Sequence, residues 1–306
     1  MRDVILGLIA SDGAELQEAN TDSWLNVGNI RAVFAAPRLV LNASVIGYCT
    51  PLLPIVSNQP PYSALQVNNL QVAFGEDNSE AEVLAFAAAV AAHDSLKGLS
   101  LRELQSARGL NALVDAAAER RVSRLWIEDC VLDAEFVPAL ARLLQRGSLT
   151  TIEIWCARSH FPLAQEESMP ALCAALRSCH TLTDLDVCLN PPEGATNRTV
   201  TELLDAAASL PALSRLNLSA SEVQDAAAFG RALGALLRAD LPSLHALDVC
   251  NCGLGDEFLA PLLDGLAGNT HLRELDCDHN NPSDAFYRDR LEPALAALAA
   301  RAELNA

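Results

Sequence analysis

The chain has one lysine, Lys97, in 306 residues, against 20 arginines. Aromatics are only 5% of it, and there are two methionines and three tryptophans. No stretch reaches 18 apolar residues without polar interruption, which excludes a membrane-spanning helix of ordinary length. Positive charge is scarce as well: 21 basic residues face 39 acidic ones, a formal charge of −18. Such a surface argues against tracking nucleic-acid phosphates and against adsorption to anionic membranes. Also missing are G-x-x-x-x-G-K-[ST], G-x-S-x-G and H-E-x-x-H, and no Ser, His and Asp fall into a nucleophile–base pattern. Catalysis by this chain is not expected, and no cofactor is called for.

Nine cysteines, an odd number spread along the chain, suit reduced thiols better than a disulfide framework. The apolar run Val4–Ala10 is short, and Asp3 offsets Arg2, so the N-terminus makes a poor secretory signal. The expected setting is cytoplasmic, with delivery as a bacterial effector left open. Sequons at Asn42, Asn197 and Asn217 are then chance occurrences. Cys250-x-Cys252 and Cys277-x-His279 look like halves of a zinc site. Alternation along a strand would, however, turn Cys250 and His279 outward and Cys252 and Cys277 inward, so four ligands could not converge and no metal is assigned. His93, His180, His245 and His271 fall near the junctions between repeats, where exposure is expected.

What the chain has in quantity is Leu and Ala, 52 of each. They are organised by a repeat. From Leu244, apolar residues fall at positions 1, 4 and 6 (Leu244, Leu247, Val249), with Cys252 at 9 and Leu254 at 11, and a helical stripe follows (Leu259, Leu262, Leu263, Leu266). The register recurs from Leu96, Val122, Leu149, Leu182, Leu213 and Leu272, and more weakly from Ala36 and Tyr62, giving nine units 26 to 34 residues apart. Alternation at positions 4 and 6 is strand periodicity, whereas the second half repeats every 3.6 residues. Asn or Cys at position 9 lies where the chain turns inward and backbone groups need a buried partner. One unit cannot bury both faces by itself, but stacked neighbours can.

These features resemble the leucine-rich-repeat proteins, in particular the ribonuclease-inhibitor-like subclass. The resemblance covers roughly residues 36–290 and is weakened by Leu104 and Ala157 at position 9. It implies an α/β fold, a horseshoe solenoid with a parallel β-sheet on the concave face and α-helices on the convex face. The expected organisation is an N-terminal cap (1–35), a solenoid of about nine units (36–284) and a C-terminal capping helix (285–306).

In that frame positions 2, 3, 5, 7 and 8 face the concave side. Position 5 reads Val40, Gln66, Ser100, Trp126, Glu153, Asp186, Asn217, Asp248, Asp276. Position 7 reads Asn42, Asn68, Arg102, Glu128, Trp155, Cys188, Ser219, Cys250, Asp278. With Asp129, Asp184 and Glu274 these residues make an acidic field able to steer a basic partner. Trp126 and Trp155, on neighbouring strands, are candidate anchors. The longer strand-to-helix loops add Phe161 and Pro191–Pro192. The expected function is a non-catalytic protein–protein interaction scaffold, with a protein partner of basic surface on the Trp-containing concave face and loop edge. The alternatives are a regulator of a small GTPase, resembling the Ran GTPase-activating proteins in fold and charge, or a bacterial effector acting on host proteins.

Overall fold

The computed structural model of the chain describes residues 4–10, 39–47, 66–74, 78–94, 96–155, 169–189 and 195–304. Phe161 and Pro191–Pro192 lie outside them. The chain divides into two compact units, Met1–Leu149 and Thr150–Ala306.

In the first unit β1 (Val4–Ala10) pairs antiparallel with β2 (Leu39–Gly47). Parallel pairing then runs from β2 to β3 (Gln66–Phe74), β4 (Gly98–Arg102) and β5 (Arg124–Glu128). Helices α1 (Glu80–Ala92), α2 (Ala107–Arg120) and α3 (Phe136–Gln145) follow β3, β4 and β5 in turn. The second unit repeats the pattern with β6 (Thr151–Trp155), α4 (Met169–Ser178), β7 (Asp184–Val187), α5 (Asn197–Ala208) and β8 (Arg215–Asn217). It continues with α6 (Ala226–Arg238), β9 (Ala246–Asp248), α7 (Asp256–Leu266) and β10 (Glu274–Asp276). A short α8 (Asp284–Phe286), one π-helical turn (Tyr287–Leu291) and α9 (Glu292–Leu304) close the unit.

The apolar columns line up as the periodicity requires. Leu99 pairs with Leu125 and Leu101 with Ile127 in the first unit. In the second, Ile152, Leu185, Leu216 and Leu247 form one continuous row. All eight side chains are at most 2% exposed. Against them pack the apolar stripes of the helices, for example Leu110, Leu113 and Val114 of α2 and Phe229, Leu233 and Leu237 of α6. Between α6 and α7 the helices touch backbone to backbone. A Cβ at Gly265 would overlap the backbone of Gly234, and one at Gly230 would overlap the Phe258 carbonyl. Phe229 and Phe258 stack beside this contact, their ring centroids 5.1 Å apart.

One part of the expected frame is wrong. The weak unit from Tyr62 put Leu65 and Val67 at positions 4 and 6, but Leu70 and Val72 are the residues that pair with Leu99 and Leu101. A strand has a two-residue period, so a displacement of five exchanges its faces. β2 follows β3 through an irregularity between Leu41 and Asn42. Gln71, paired with Ser100, therefore occupies position 5 of β3 in place of Gln66, and Ser44 pairs with it in place of Val40.

Position 9 does what its chemistry suggests. Asn280 donates through Nδ2 to the carbonyls of Val249 and Cys277, both at 2.9 Å. Its Oδ1 accepts from the backbone N–H groups of Cys252 and Leu254, both at 3.2 Å. Where Cys stands at this position, Cys130 Sγ reaches the Leu101 carbonyl and Cys252 Sγ the Leu218 carbonyl, each at 3.5 Å. Each side chain thus satisfies the position-6 carbonyl of the preceding unit. Leu104 can stand here because β3 runs on to Phe74 and pairs through Ala73–Arg102, so the ladder itself extends further. Position 8 carries a signal the periodicity does not show: Glu103, Asp129, Ala220, Asn251 and His279 all have left-handed φ, between 50° and 59°. These residues turn the chain after β4, β5, β8, β9 and β10, at about 1–2 kcal/mol apiece for a non-glycine. The repeating unit is one parallel strand followed by one helix, and the fold is α/β.

Candidate interaction surface

The exposed strand face of the second unit is built by register. Glu153 pairs with Asp186, Asp186 with Asn217, Asn217 with Asp248 and Asp248 with Asp276. The next column reads Thr151, Asp184, Arg215, Ala246, Glu274 in the same pairing. The sequence-predicted acids Glu153, Asp184, Asp186, Asp248 and Asp276 are therefore brought onto one face, with Asp278 just beyond β10. Asp276 and Asp278 are exposed and the others half-buried. Adjacent members are about 4.8 Å apart, as hydrogen-bonded strands must be.

Position 5 also has a structural duty that the charge pattern concealed. The Asn217 side chain accepts from the Ser219 N–H at 2.8 Å, Asp248 from Cys250 at 2.9 Å and Asp276 from Asp278 at 3.0 Å. Each of these turns diverts a backbone N–H from the ladder two residues on. β8, β9 and β10, with Asn or Asp at position 5, are accordingly three residues long. β4, β5 and β6, with Ser100, Trp126 and Glu153 there, are five.

Asp186 is different. Its carboxylate accepts from Asn217 Nδ2 at 2.9 Å and from the Trp155 side chain. Burial pushes it up to about 7 against these hydrogen bonds, helped by the charges of Glu153 and Asp248. Glu153 is raised too, first by burial and then by Asp184, with Arg215 opposing. Trp155 is accordingly half-buried and tied to the column through its indole. Cys188, expected to face outward at position 7, is instead 5% exposed, with Sγ bonded to the Ala220 carbonyl at 3.2 Å. In that unit Leu189 is buried and its N–H is bonded to Ser221 Oγ, so the chain turns inward early.

The strand face of the first unit has another character. Trp126 is 38% exposed, one of three large apolar side chains so exposed among the described residues. Arg102 clamps Glu128 with two contacts, Nε–Oε2 at 2.8 Å and Nη2–Oε1 at 2.9 Å. Glu128 therefore brings no uncompensated charge to the surface. Asp129 occupies the left-handed turn and is half-buried. Gly98, lacking a side chain, lets Arg124 reach across β4 to Asn69 Oδ1 at 2.5 Å. In the second unit the small Ala246 plays the same part, lying between Arg215 and Glu274, whose charged groups are 3.7 Å apart.

Among the described residues, Asp248, Cys250 and Asp276 bring possible metal-ligand atoms within 4.8 Å of one another. Both carboxylates already hold turns, and burial with the Asp248 hydrogen bond pushes the Cys250 thiol up to about 11. These groups are read as turn caps and a neutral thiol. Of the zinc-like pairs, His279 is exposed and Cys277 buried, while Cys252 Sγ is bonded to backbone carbonyls. The histidine expectation fails at His93, which is 1% exposed and lowered from its ordinary value, chiefly by burial. His245 and His271 are half-buried, and His180 alone of the four is exposed. The seven described cysteines are all free thiols.

No protein-family model matches the sequence, and no curated protein matches it either. Among solved structures the chain is similar to an internalin, InlF, from Listeria monocytogenes. The TM-score is 0.46 at 16% identity, over 82% of this chain and 55% of that one. It is also similar to TLR13 in a TLR13–ssRNA13 complex, with TM-score 0.34 and 15% identity over 72% and 38% of the two chains. The chain thus spans about half the length of that internalin. Its α/β strand–helix repeat is read from its own strand register and position-9 hydrogen bonds. Among the described residues no helix is long and apolar enough to cross a membrane.

Proposed function

We propose that this protein is a non-catalytic interaction scaffold of the ribonuclease-inhibitor-like kind, in which each strand alternates with a full helix. The strand face of its second unit docks a protein partner with a basic surface. The observation that carries this reading is the register that places Glu153, Asp186, Asp248 and Asp276 in one column, with Asp184, Glu274 and Asp278 beside it. Arg215 and Arg273 are the basic residues that interrupt it, and Arg215 already lies 3.7 Å from Glu274. Carboxylates in such a field raise the local concentration of a cationic partner and speed encounter. Trp155, at the edge of the column, and Trp126, exposed on the face of the first unit, are the aromatic contacts of the proposal. Free thiols and the acidic surface suit work inside a cell, and no catalytic group is invoked.

The test is capture of a partner from native cytosol, followed by affinity measurements as salt is raised from about 50 to about 500 mM, through which exposed charge interactions are screened. The proposal expects affinity to fall steeply with salt and to weaken in Trp126→Ala and Trp155→Ala. Salt-independent binding, unchanged in both variants, would contradict it.

A further inference from the structure

The first unit carries a patch of the opposite sign. Lys97, the one lysine of the chain, is exposed, as are Arg121, Arg124 and Arg146, and none of the four is in an ion pair with a described residue. Backbone bonds gather them at the N-terminal ends of β4 and β5. The Lys97 carbonyl accepts from the N–H groups of Ser123 at 2.7 Å and Arg124 at 3.1 Å. The Val122 carbonyl accepts from Ser148 Oγ at 3.0 Å, which brings in the loop after α3. The other charges among the described residues of these connections are Arg120, held to Asp94 at 2.7 Å, and Glu119. Five cations therefore face two carboxylates, in a chain whose net charge is −18. Arg121 and Arg146 directly follow α2 and α3, where a cation suits the helix dipole. Lys97 and Arg124 have no such duty.

Arg124 is also aimed. Gly98 leaves the face open between β3 and β5, and a Cβ there would lie 2.5 Å from Asn69 Oδ1. The guanidinium reaches across this gap, with Nη2 donating to Asn69 Oδ1 at 2.5 Å. Its anchor is a neutral amide, so its orientation is set while its charge stays uncompensated. Arg102, by contrast, is neutralised by Glu128. Two residues along β5 and on the same face, Trp126 is 38% exposed, beside the small Ser100 of β4. Alternate residues of a strand are about 6.8 Å apart, which is also the side-chain repeat on one face of an extended peptide.

We propose that this face of the first unit binds an extended acidic peptide segment. One carboxylate of the segment pairs with Arg124, and an aromatic side chain two residues away lies against Trp126. A further acid, two residues to the other side, reaches Lys97 and Arg121. Charge complementarity selects this ligand, because the net charge of the chain repels an acidic segment and these cations attract it. The inference goes beyond the docking of a basic surface on the second unit and uses none of its carboxylates.

The experiment uses the full chain and end-blocked peptides carrying one fluorescent label, with binding read by anisotropy at about 25 mM salt. The probe is Glu-Ser-Glu-Ser-Phe in a Gly-Ser frame, made in both chain directions, and alternation sets its Glu and Phe side chains on one face. Glu-Ser-Glu-Phe-Ser has the same composition but turns Phe to the opposite face. In its better direction the first peptide binds about tenfold tighter than the second, the share of one aromatic contact. Trp126→Ala removes that difference. Arg124→Gln, which keeps an amide donor for Asn69, weakens the first peptide about tenfold. Asp248→Asn, in the second unit, leaves both affinities within about twofold. Equal binding of the two peptides, or full affinity in Arg124→Gln, would overturn the inference and leave the docking of basic partners on the second unit standing. So would tighter binding of a short oligothymidylate that the same two variants abolish, since the face would then be a nucleic-acid site.

Discussion

Replacing Asn280 tests the repeat architecture at its most heavily used side chain. Asn280 makes four hydrogen bonds to backbone, two as donor and two as acceptor, joining β9 and β10 to the chain around Cys252 and Leu254. At a net value of about 1 kcal/mol each, these bonds total about 4 kcal/mol. The residue is half-exposed, so water can recover part of the loss, and Asn280→Ala is expected to cost about 2–3 kcal/mol. Asn280→Cys should be milder, at about 1–2 kcal/mol. A thiol there can still donate to the Val249 carbonyl, as Cys252 does to that of Leu218, while both acceptor bonds are lost. Urea unfolding of the three proteins measures this directly, read as a lower midpoint at unchanged slope. The reasoning is refuted if Asn280→Ala costs less than about 0.5 kcal/mol, or if Cys is worse than Ala.

Three further outcomes are expected. Gly265→Ala drives a methyl into the backbone of Gly234 and should destabilise by about 1–3 kcal/mol, seen as a lower melting temperature; an unchanged melt would deny the close α6–α7 contact. Asp240 accepts from Thr270 and His271 and is held down to about 2, below its ordinary 3.8. A depressed carboxylate stabilises the fold above its unfolded value and loses that contribution as pH falls through its folded one. Wild type should therefore exceed Asp240→Asn in stability at pH 6, with the gap closing by pH 2; a gap that widens on acidification reverses the sign. Trp126→Ala should leave the urea midpoint nearly unmoved, because the side chain is already 38% exposed, yet weaken binding of a captured partner about tenfold or more.

Much of this architecture was legible in the chain because leucine spacing and strand register report the same physics. A residue at position 4 or 6 is either buried between sheet and helix or the unit fails to stack, so Ile152, Leu185, Leu216 and Leu247 had one place to go. Asn280, Cys130 and Cys252 were readable at position 9 for a similar reason, since a turning backbone needs a partner there. Other features rest on interactions that no periodicity encodes. The β3 register was hidden because Leu65–Val67 and Leu70–Val72 alternate equally well and only the pairing with β4 chooses between them. Glu128 looked like a free acid because its Arg102 clamp lies 26 residues earlier in the chain. The left-handed residues at position 8 include Glu, Asp, Ala, Asn and His, so composition gave no warning. The acids of position 5 were read as a binding field, whereas Asp248 and Asp276 also end their strands, as the neutral Asn217 does.

That last equivalence provides the sharpest test of the docking surface. Because Asn217 already makes the position-5 turn, Asp248→Asn and Asp276→Asn should keep both turns while removing two charges. Asp184→Asn removes a third without touching a position-5 turn. The measurement is the affinity of this triple variant for a captured basic partner, as a function of salt and beside wild type. The account predicts an intact fold, affinity lowered at least tenfold at about 50 mM salt, and a flatter salt dependence. A well-folded variant that binds as tightly as wild type, with the same salt dependence, would contradict it.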